Sequence, residues 1–310
     1  MAKPSPDSAP LPRLLVLELW GLGDLTLAVP FLRAAAPHAR VAVLAPPAAA
    51  PLLARFAPEA ELISLTAPWT AFTGKYRLHR WPWAELRATR RALRARHFDL
   101  GVSARHDPRD HALLWLAGVR RRLGFARAGS GALLTDRVPP PAQPHRAEHW
   151  RALAHTLGWE IAAPENRPRP GRLIAIHAGA ARAVRRWPAE RFAEVSRRLA
   201  ADGWEIEILA ESMAPDALFA ALARADFFVG NDSGPGHVAA LLGVPTFTIF
   251  GPQLPELFAP QHPLAAWIDG APCPHKPCFD ACRFPQPNCL LAISVDEVMA
   301  RLRVWLPRLK

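Results

Sequence analysis

The chain is short of several things, and each shortage excludes something. Its 310 residues include one tyrosine, three methionines and four cysteines. All four cysteines fall between Cys273 and Cys289, a local cluster that excludes a disulfide framework spread through a secreted fold. The longest uninterrupted apolar run, around Ala112–Val119, is far below the roughly 20 residues that a membrane-spanning helix needs. The apolar stretch Leu14–Leu17 stops at Glu18, too soon for a signal-peptide core, so the sequence predicts a cytoplasmic protein. Acidic residues are also scarce: 27 against 38 basic ones, a formal net charge of +11. That balance favours anionic partners such as nucleotides, nucleic acid or a phosphorylated membrane surface.

What is present is enough for real cores. Half of the residues are hydrophobic and 21% are charged, which excludes a disordered chain. The length suggests about two domains. The positive charge is concentrated: Lys75–Arg127 holds 14 Lys or Arg against 4 Asp or Glu, nearly the whole excess, so an anionic partner is expected there. Within it, Arg87, Arg90, Arg91 and Arg94 follow the spacing of one helical face, just after Trp81 and Trp83. A basic helix beside tryptophans suits an anionic membrane, and the plain alternative is a solvated Arg-rich face. No nucleic-acid-binding module is legible, which argues against that partner.

Strand-like and helix-like segments alternate. Arg13–Leu19, Val41–Leu44, Glu61–Leu65 and Leu100–Ser103 read as strands, with helices over Leu25–Ala36, Pro51–Phe56 and Ala84–His97. Pro139, Pro140, Pro141 and Pro144 interrupt the pattern, and His145–Leu157 reads as a helix. Pro164, Pro168 and Pro170 form a connector, after which the pattern restarts with Leu173–His177. Such alternation predicts parallel sheets covered on both faces, in two Rossmann-like domains facing a cleft.

Three constellations carry chemistry. Gly21-Leu22-Gly23-Asp24 lies between a strand and a helix, where glycines allow a tight turn and Asp24 would serve as a cap or as a functional carboxylate. It lacks the third glycine of the dinucleotide fingerprint. Gly230-Asn231-Asp232-Ser233-Gly234-Pro235-Gly236-His237 also joins strand to helix; amides at such a helix start favour phosphate, with Asp232 or Ser233 as cap. Ala178-Gly179-Ala180-Ala181 is followed by Arg182, Arg185 and Arg186, guanidinium groups suited to a diphosphate. Arg105 and Arg109, after the strand Leu100–Ser103, are expected to line a cleft, while His106 and His111 read as surface or helix-end residues. The spacing of Cys273, Cys278, Cys282 and Cys289 is loosely zinc-like; free thiols are the more ordinary reading than a structural metal or a disulfide clip.

"LLVLELWGLGDLTLAVPFLRAAA", "WLAGVRRRLGF", "RRWPAERFAEV", "ARADFFVGNDSGPGHVAALLGVPTFTIFGP" and the tail "CPHKPC" followed by "AISVDEVMARL" together resemble glycosyltransferase family 9, the heptosyltransferases of lipopolysaccharide core synthesis. The resemblance covers almost the whole chain in order. It implies a GT-B architecture: an acceptor-binding domain over residues 1–165 and a nucleotide-sugar-binding domain over 166–310, the latter with the Cys-containing tail and a terminal helix. It implies inverting transfer, with no catalytic metal and no cofactor, from a nucleotide-diphosphate sugar, by family an ADP-sugar, to an anionic, lipid-linked core acceptor at the cytoplasmic face of the inner membrane.

By position, the resemblance makes Asp24 the general base and puts Gly23, Arg105 and Arg109 on the acceptor side. It puts Arg185, Arg186, Glu211, Asp232, Ser233, Gly234 and His237 at the donor, with Gly179, Ala180 and Ala181 as the phosphate loop. Two departures stand out. Ala180 and Ala181 replace the hydroxyl residues usual in that loop, leaving only backbone amides for phosphate. The stretch from Glu211 to Pro215 lacks a helix–strand unit that family members carry. A related transferase with another nucleotide-sugar, or a catalytically degenerate nucleotide-binding protein, are the competing expectations.

Overall fold

The computed structural model describes residues 10–71, 73–164, 166 and 170–306. Pro168 of the expected connector lies outside them. The chain divides into two compact units: residues 1–142 with 148–162, and residues 143–147 with 163–310.

In chain order the first unit contains β1 (Arg13–Leu17), α1 (Leu22–Ala35), β2 (Arg40–Ala45), α2 (Ala50–Phe56), β3 (Glu61–Ser64), α3 (Trp83–Ala95), β4 (Leu100–Ser103), α4 (Pro108–Leu116), β5 (Arg121–Gly124) and β6 (Asp136–Arg137). Helix α5 (Arg146–Thr156) starts in the residues grouped with the second unit and runs into those grouped with the first. The second unit continues with β7 (Leu173–His177), α6 (Ala189–Ala201), β8 (Glu205–Ile208), α7 (Pro215–Arg224), β9 (Phe227–Asn231), α8 (Gly234–Leu241), β10 (Thr246–Phe250), α9 (Pro255–Phe258), β11 (Ala266–Asp269), α10 (Asn288–Leu291) and α11 (Val295–Trp305).

Both sheets are parallel throughout. Helices covering both faces explain why β1 and β9 read as unbroken apolar runs: in β1 everything after Arg13 is buried, and in β9 every residue is. The first sheet has the order β3-β2-β1-β4-β5-β6 and the second β11-β10-β9-β7-β8. Strands β7, β8, β9, β10 and β11 thus occupy the places of β1, β2, β4, β5 and β6. Among the described residues nothing occupies the place of β3. This is where the sequence is short: six residues lead from Ile208 to Pro215. Strand β8 is therefore an edge, with Ile208 exposed and Glu205 and Glu207 supplying the charge that discourages edge pairing.

Helix α6 buries Phe192, Val195 and Leu199, a one-face spacing, against Ile174, Ile176, Phe227 and Val229 of the sheet. Helix α11 adds Val298, Met299, Leu302 and Trp305 to the same core. Its start is fixed by a capping box, in which Ser294 accepts from the Glu297 amide and Glu297 accepts from the Ser294 amide. Ser294→Ala should lower stability by about 1 kcal/mol, measured as a shift of the urea unfolding midpoint with unchanged slope.

Candidate functional sites

In the second unit, the ends of β7 and β9 and the turns after them converge on one buried amide. Asn231 is fully buried at the last position of β9. Its Oδ1 accepts from the Trp187 backbone N–H at 3.0 Å, and its Nδ2 donates to the Ala178 carbonyl at 2.6 Å. The loop after β7, the approach to α6 and the turn into α8 are thereby tied together. Gly230 beside it permits this closeness, since a Cβ there would lie 2.9 Å from the His177 carbonyl oxygen.

Arg185 sits within this frame. Its Nε and Nη2 donate to the two oxygens of Asp280 at 2.6 and 2.7 Å, and Nη1 donates to Asp232 Oδ2 at 3.2 Å. Asp280 is buried and accepts a further bond from Gln253 Nε2 at 3.2 Å. The fork-to-fork geometry fixes the guanidinium in direction as well as in place. Ser233 takes the N-cap position of α8, but its side chain caps nothing; its hydroxyl donates to the Asn231 carbonyl at 3.2 Å, which corrects the expectation of a Ser233 cap. Gly234 is the first residue of α8, so the positive end of the helix opens at this turn.

His237 lies on α8, nearly fully buried, with Nδ1 lacking a hydrogen-bond partner among the described residues. Burial, with His145 and Arg185 nearby, pushes its pKa down to about 3, so it is a neutral imidazole at physiological pH. Glu211 pairs with Arg186 at 3.1 Å, both side chains about half exposed, and Arg186 Nε donates to the Ala180 carbonyl at 2.8 Å. Gly179 is required beneath Glu211, because a Cβ there would stand 2.4 Å from Glu211 Cγ. Ala180 is buried and Ala181 exposed. Arg185, Asp232 and His237 thus come together, and Gly179, Ala180, Arg186 and Glu211 form a second group linked to them through Asn231.

Two residues here escaped the sequence reading. Asp280 lies 95 positions from its partner Arg185, inside the cysteine segment, and no spacing joins them. Asn231 looked like one more small polar residue of a turn. The four cysteines are free thiols, partly buried, and among the described residues no group of three or more His, Cys, Asp or Glu is placed to hold a metal ion. Burial pushes the Cys278 and Cys289 thiols up, away from the thiolate form that metals bind.

The first unit carries a separate carboxyl-rich site. Asp24 lies in the first turn of α1, half-buried. It is not the cap: that position is Gly21, whose φ of −77° and open surroundings demand no glycine. Gly23 accepts from the Thr26 hydroxyl at 2.5 Å. Arg105 is mostly buried, with Nη2 on Asp107 at 3.2 Å, Nε 3.6 Å from Asp110, and its guanidinium 4.7 Å from the centre of the Trp20 ring. Arg109 grips Asp107 at 2.7 and 2.8 Å; burial works against the Asp107 charge, but these bonds hold its carboxyl below the usual range. Asp110 is fully buried, accepting from Trp69 Nε1 at 2.9 Å and Ser103 Oγ at 3.2 Å, and burial pushes its pKa up.

His111 is not at the surface as expected. It is fully buried, with Nδ1 2.9 Å from Ser130 Oγ, and burial lowers its pKa. His106 is half-buried, stacked on Phe125 and 3.0 Å from His149 Nε2. Both belong to α4 or the loop before it, an element the sequence reading left uncalled because Pro108 and Asp107 disguised its start.

Comparison with known proteins bears on the fold and on one segment of the second unit. Residues 209–286 match the family model described as Glycosyltransferase family 9 (heptosyltransferase). That span contains Glu211, Asp232, Ser233, Gly234, His237 and Asp280. The chain shares its fold with the E. coli ADP-heptose lps heptosyltransferase II (22% identity, 96% of this chain and 99% of that one, TM-score 0.69). It shares it equally with a glycosyltransferase family 9 protein of Veillonella parvula (20%, 97% and 99%, 0.73) and with E. coli heptosyltransferase WaaC with ADP (20%, 96% and 98%, 0.69). No curated protein matches the chain significantly. Fold and family match together support a glycosyltransferase of the GT-B class. The resemblance to heptosyltransferases read from the sequence is borne out.

Asn231→Ala would leave the Trp187 N–H and the Ala178 carbonyl unpaired in the interior. It should cost about 3 kcal/mol, read from denaturant unfolding, while Asn231→Asp should recover only the bond to Trp187.

Proposed function

We propose that the chain is an inverting transferase that moves a sugar from a nucleoside diphosphate sugar, in the first instance an ADP-sugar, to an anionic glycolipid acceptor of the lipopolysaccharide-core type. The observation that carries this reading is the Arg185–Asp280–Asp232 assembly at the start of α8, built largely from the segment that the family model matches. The E. coli relatives are named for ADP-heptose or carry ADP, which favours adenine in the donor.

The chemistry follows from the parts. The acceptor hydroxyl oxygen forms a bond to the anomeric carbon as the bond to the diphosphate oxygen breaks, in a single displacement that inverts the centre. The hydroxyl proton passes to the Asp24 carboxylate. The departing diphosphate gains negative charge, met by Arg185 and the amides opening α8, both in place before reaction; no metal is assigned to this role. His237, being neutral, offers a hydrogen bond rather than a charge. Glu211, half exposed in its pair with Arg186, is the candidate for the ribose hydroxyls.

Calorimetric titration with ADP, UDP and GDP tests the donor site. Selective ADP binding is expected, weakened at least about 100-fold in Arg185→Ala, since a charge-assisted bidentate contact is lost. Asp24→Asn should bind ADP normally and lose turnover by a factor of about 100 or more. Equal binding of all three nucleotides would defeat the ADP assignment, and full turnover in Asp24→Asn would defeat the base.

The acceptor reading carries a location, the cytoplasmic face of an anionic membrane. No described helix is long and apolar enough to cross a membrane. Contact would instead be made by the segment leading into α3. Tyr76, Leu78 and Trp83 are exposed there, at 77%, 55% and 43%. They are held in place, because Trp81 Nε1 donates to the Lys75 carbonyl at 3.2 Å and Trp83 Nε1 to the Leu78 carbonyl at 2.8 Å. On α3 only Leu93 is buried, and Arg87, Arg90, Arg91 and Arg94 are exposed. Apolar tips beside a basic helix suit a bilayer surface. Binding to phosphatidylcholine vesicles should rise when anionic phosphatidylglycerol is included. Replacing Arg87 and Arg91 with serine should lower that binding at least about tenfold. Equal binding to both vesicle types would count against membrane docking.

A further inference from the structure

Helix α3 carries one stripe of positive charge with an aromatic side chain at each end. Trp83, Arg87, Arg90, Arg91 and Arg94 recur at steps of four, three, one and three, the spacing of one helical face. All five are exposed, while Leu93 is buried in the core that also takes in Leu113 and Leu114 of α4. Glu85 is the only acidic residue of the helix, so the stripe stays strongly positive.

The far end of the stripe meets the end of α4. Arg94 lies against Gly118, where an added Cβ would stand 3.8 Å from the Arg94 Cγ and Nε. Gly118 belongs to the turn that closes α4: its φ is 73°, and its N–H donates to the Trp115 carbonyl at 2.9 Å. Glycine supplies that left-handed backbone, and the turn brings Trp115 and Leu116 beside the arginine. Trp115 is 54% exposed and Leu116 40%, although Leu113 and Leu114 just before them are buried. Arg120, two residues past the turn, is exposed as well. Two neighbouring large apolar side chains in water, rimmed by guanidinium groups, mark a contact surface.

We propose that Trp115 and Leu116 are a second membrane anchor, inserted into the headgroup region of an anionic bilayer while α3 lies flat along its surface with its arginines on the lipid phosphates. The inference rests on the membrane reading above and deepens it. Contact is made at both ends of a 13-residue helix about 20 Å long, rather than only where the chain enters it. Charge decides the occupant. A protein partner would need apolar surface and acidic groups in matching places, whereas an anionic bilayer offers both everywhere. Tryptophan suits that boundary, with an apolar ring and one polar N–H. Two anchors joined by one helix bind with a raised effective concentration and fix the tilt of the first unit on the surface.

Vesicle sedimentation separates the two contributions. With vesicles of phosphatidylcholine and phosphatidylglycerol, Trp115→Ser combined with Leu116→Ser should lower binding at least about tenfold, and keep that ratio at high salt, because apolar insertion is not screened. The loss caused by replacing Arg87 and Arg91 with serine should shrink as salt rises. Trp115 and Leu116 are exposed, so the urea unfolding midpoint of the double variant should stay in place, which excludes misfolding as the cause. Trp115→Phe should bind as the wild type does, yet lose part of the tryptophan quenching by lipids brominated in the acyl chain. Undiminished binding by W115S/L116S protein, or unchanged quenching in Trp115→Phe, overturns the second anchor while the membrane reading stands on the arginine variant. A wild type indifferent to phosphatidylglycerol rejects the membrane reading and the anchor with it. Self-association that Trp115→Ser abolishes, in protein that binds no vesicles, would assign the patch to a second copy of the chain instead.

Discussion

One carboxamide ties together the loops of the second unit. Asn231 presents both faces of its amide inside the second unit, one to the segment entering α6 and the other to the loop leaving β7. An aspartate at that place could accept only the first contact, and a leucine could make neither. Because Asn231 ends β9, the central strand of the second sheet sets the positions of Ala178 and Trp187, and through them of the basic turn at Arg185. Trp187 then extends the tie outward: its ring is buried, and its Nε1 donates to the Ile293 carbonyl at 2.9 Å, just before α11. The place of Arg185 is thus inherited from packing rather than from the turn that carries it.

The cysteine segment gains a meaning from the same frame. Its thiols form no bridge and no metal group among the described residues, yet it delivers Asp280 to Arg185. Asp280 has φ of 68°, a left-handed backbone that aspartate tolerates better than most residues. A strained residue persists where the surroundings over-determine it, and here two bonds to Arg185 and one from Gln253 do so. Two carboxylates already hold Arg185, so under the proposed function a diphosphate would meet an ordered guanidinium and would compete with Asp232 for one side of it.

Much of this was legible in the sequence, for a physical reason. Fully buried parallel strands read as short apolar runs, and the readings of β1 and β7 fall at or near their observed bounds because such runs stand out from the rest of the chain. The D-S-G block was legible because strand, small residues and helix follow one another without a gap. The departures came where a local signal was absent or misleading. Helix α4 begins with Asp107 as N-cap and Pro108 inside it, a legitimate start that reads as a breaker. Helix α8 begins at Gly234, inside the glycine-rich segment that reads as a turn, because glycine and proline at its start disguise it. Asp280 could not be assigned at all, because its place depends on a partner 95 residues away.

The shortened second sheet and the acidic interior of the first unit bear on one question, namely where this chain places its charge. The net charge of +11 lives on the surface, above all on α3, where arginines face water and act over roughly a Debye length. The interior around α4 is the reverse, with Asp107 and Asp110 holding Arg105 and Arg109. Both guanidinium groups are thereby committed to carboxylates, so the positive charge of the first unit is displayed by the surface arginines rather than by these two. The strand missing beyond β8 belongs to the other sheet, and Glu211, which follows β8 and is half exposed, lies at that trimmed edge. Under the proposed function, donor selectivity would therefore be set at a trimmed sheet edge and acceptor chemistry by a buried balance of acids and two committed arginines, on separate sheets.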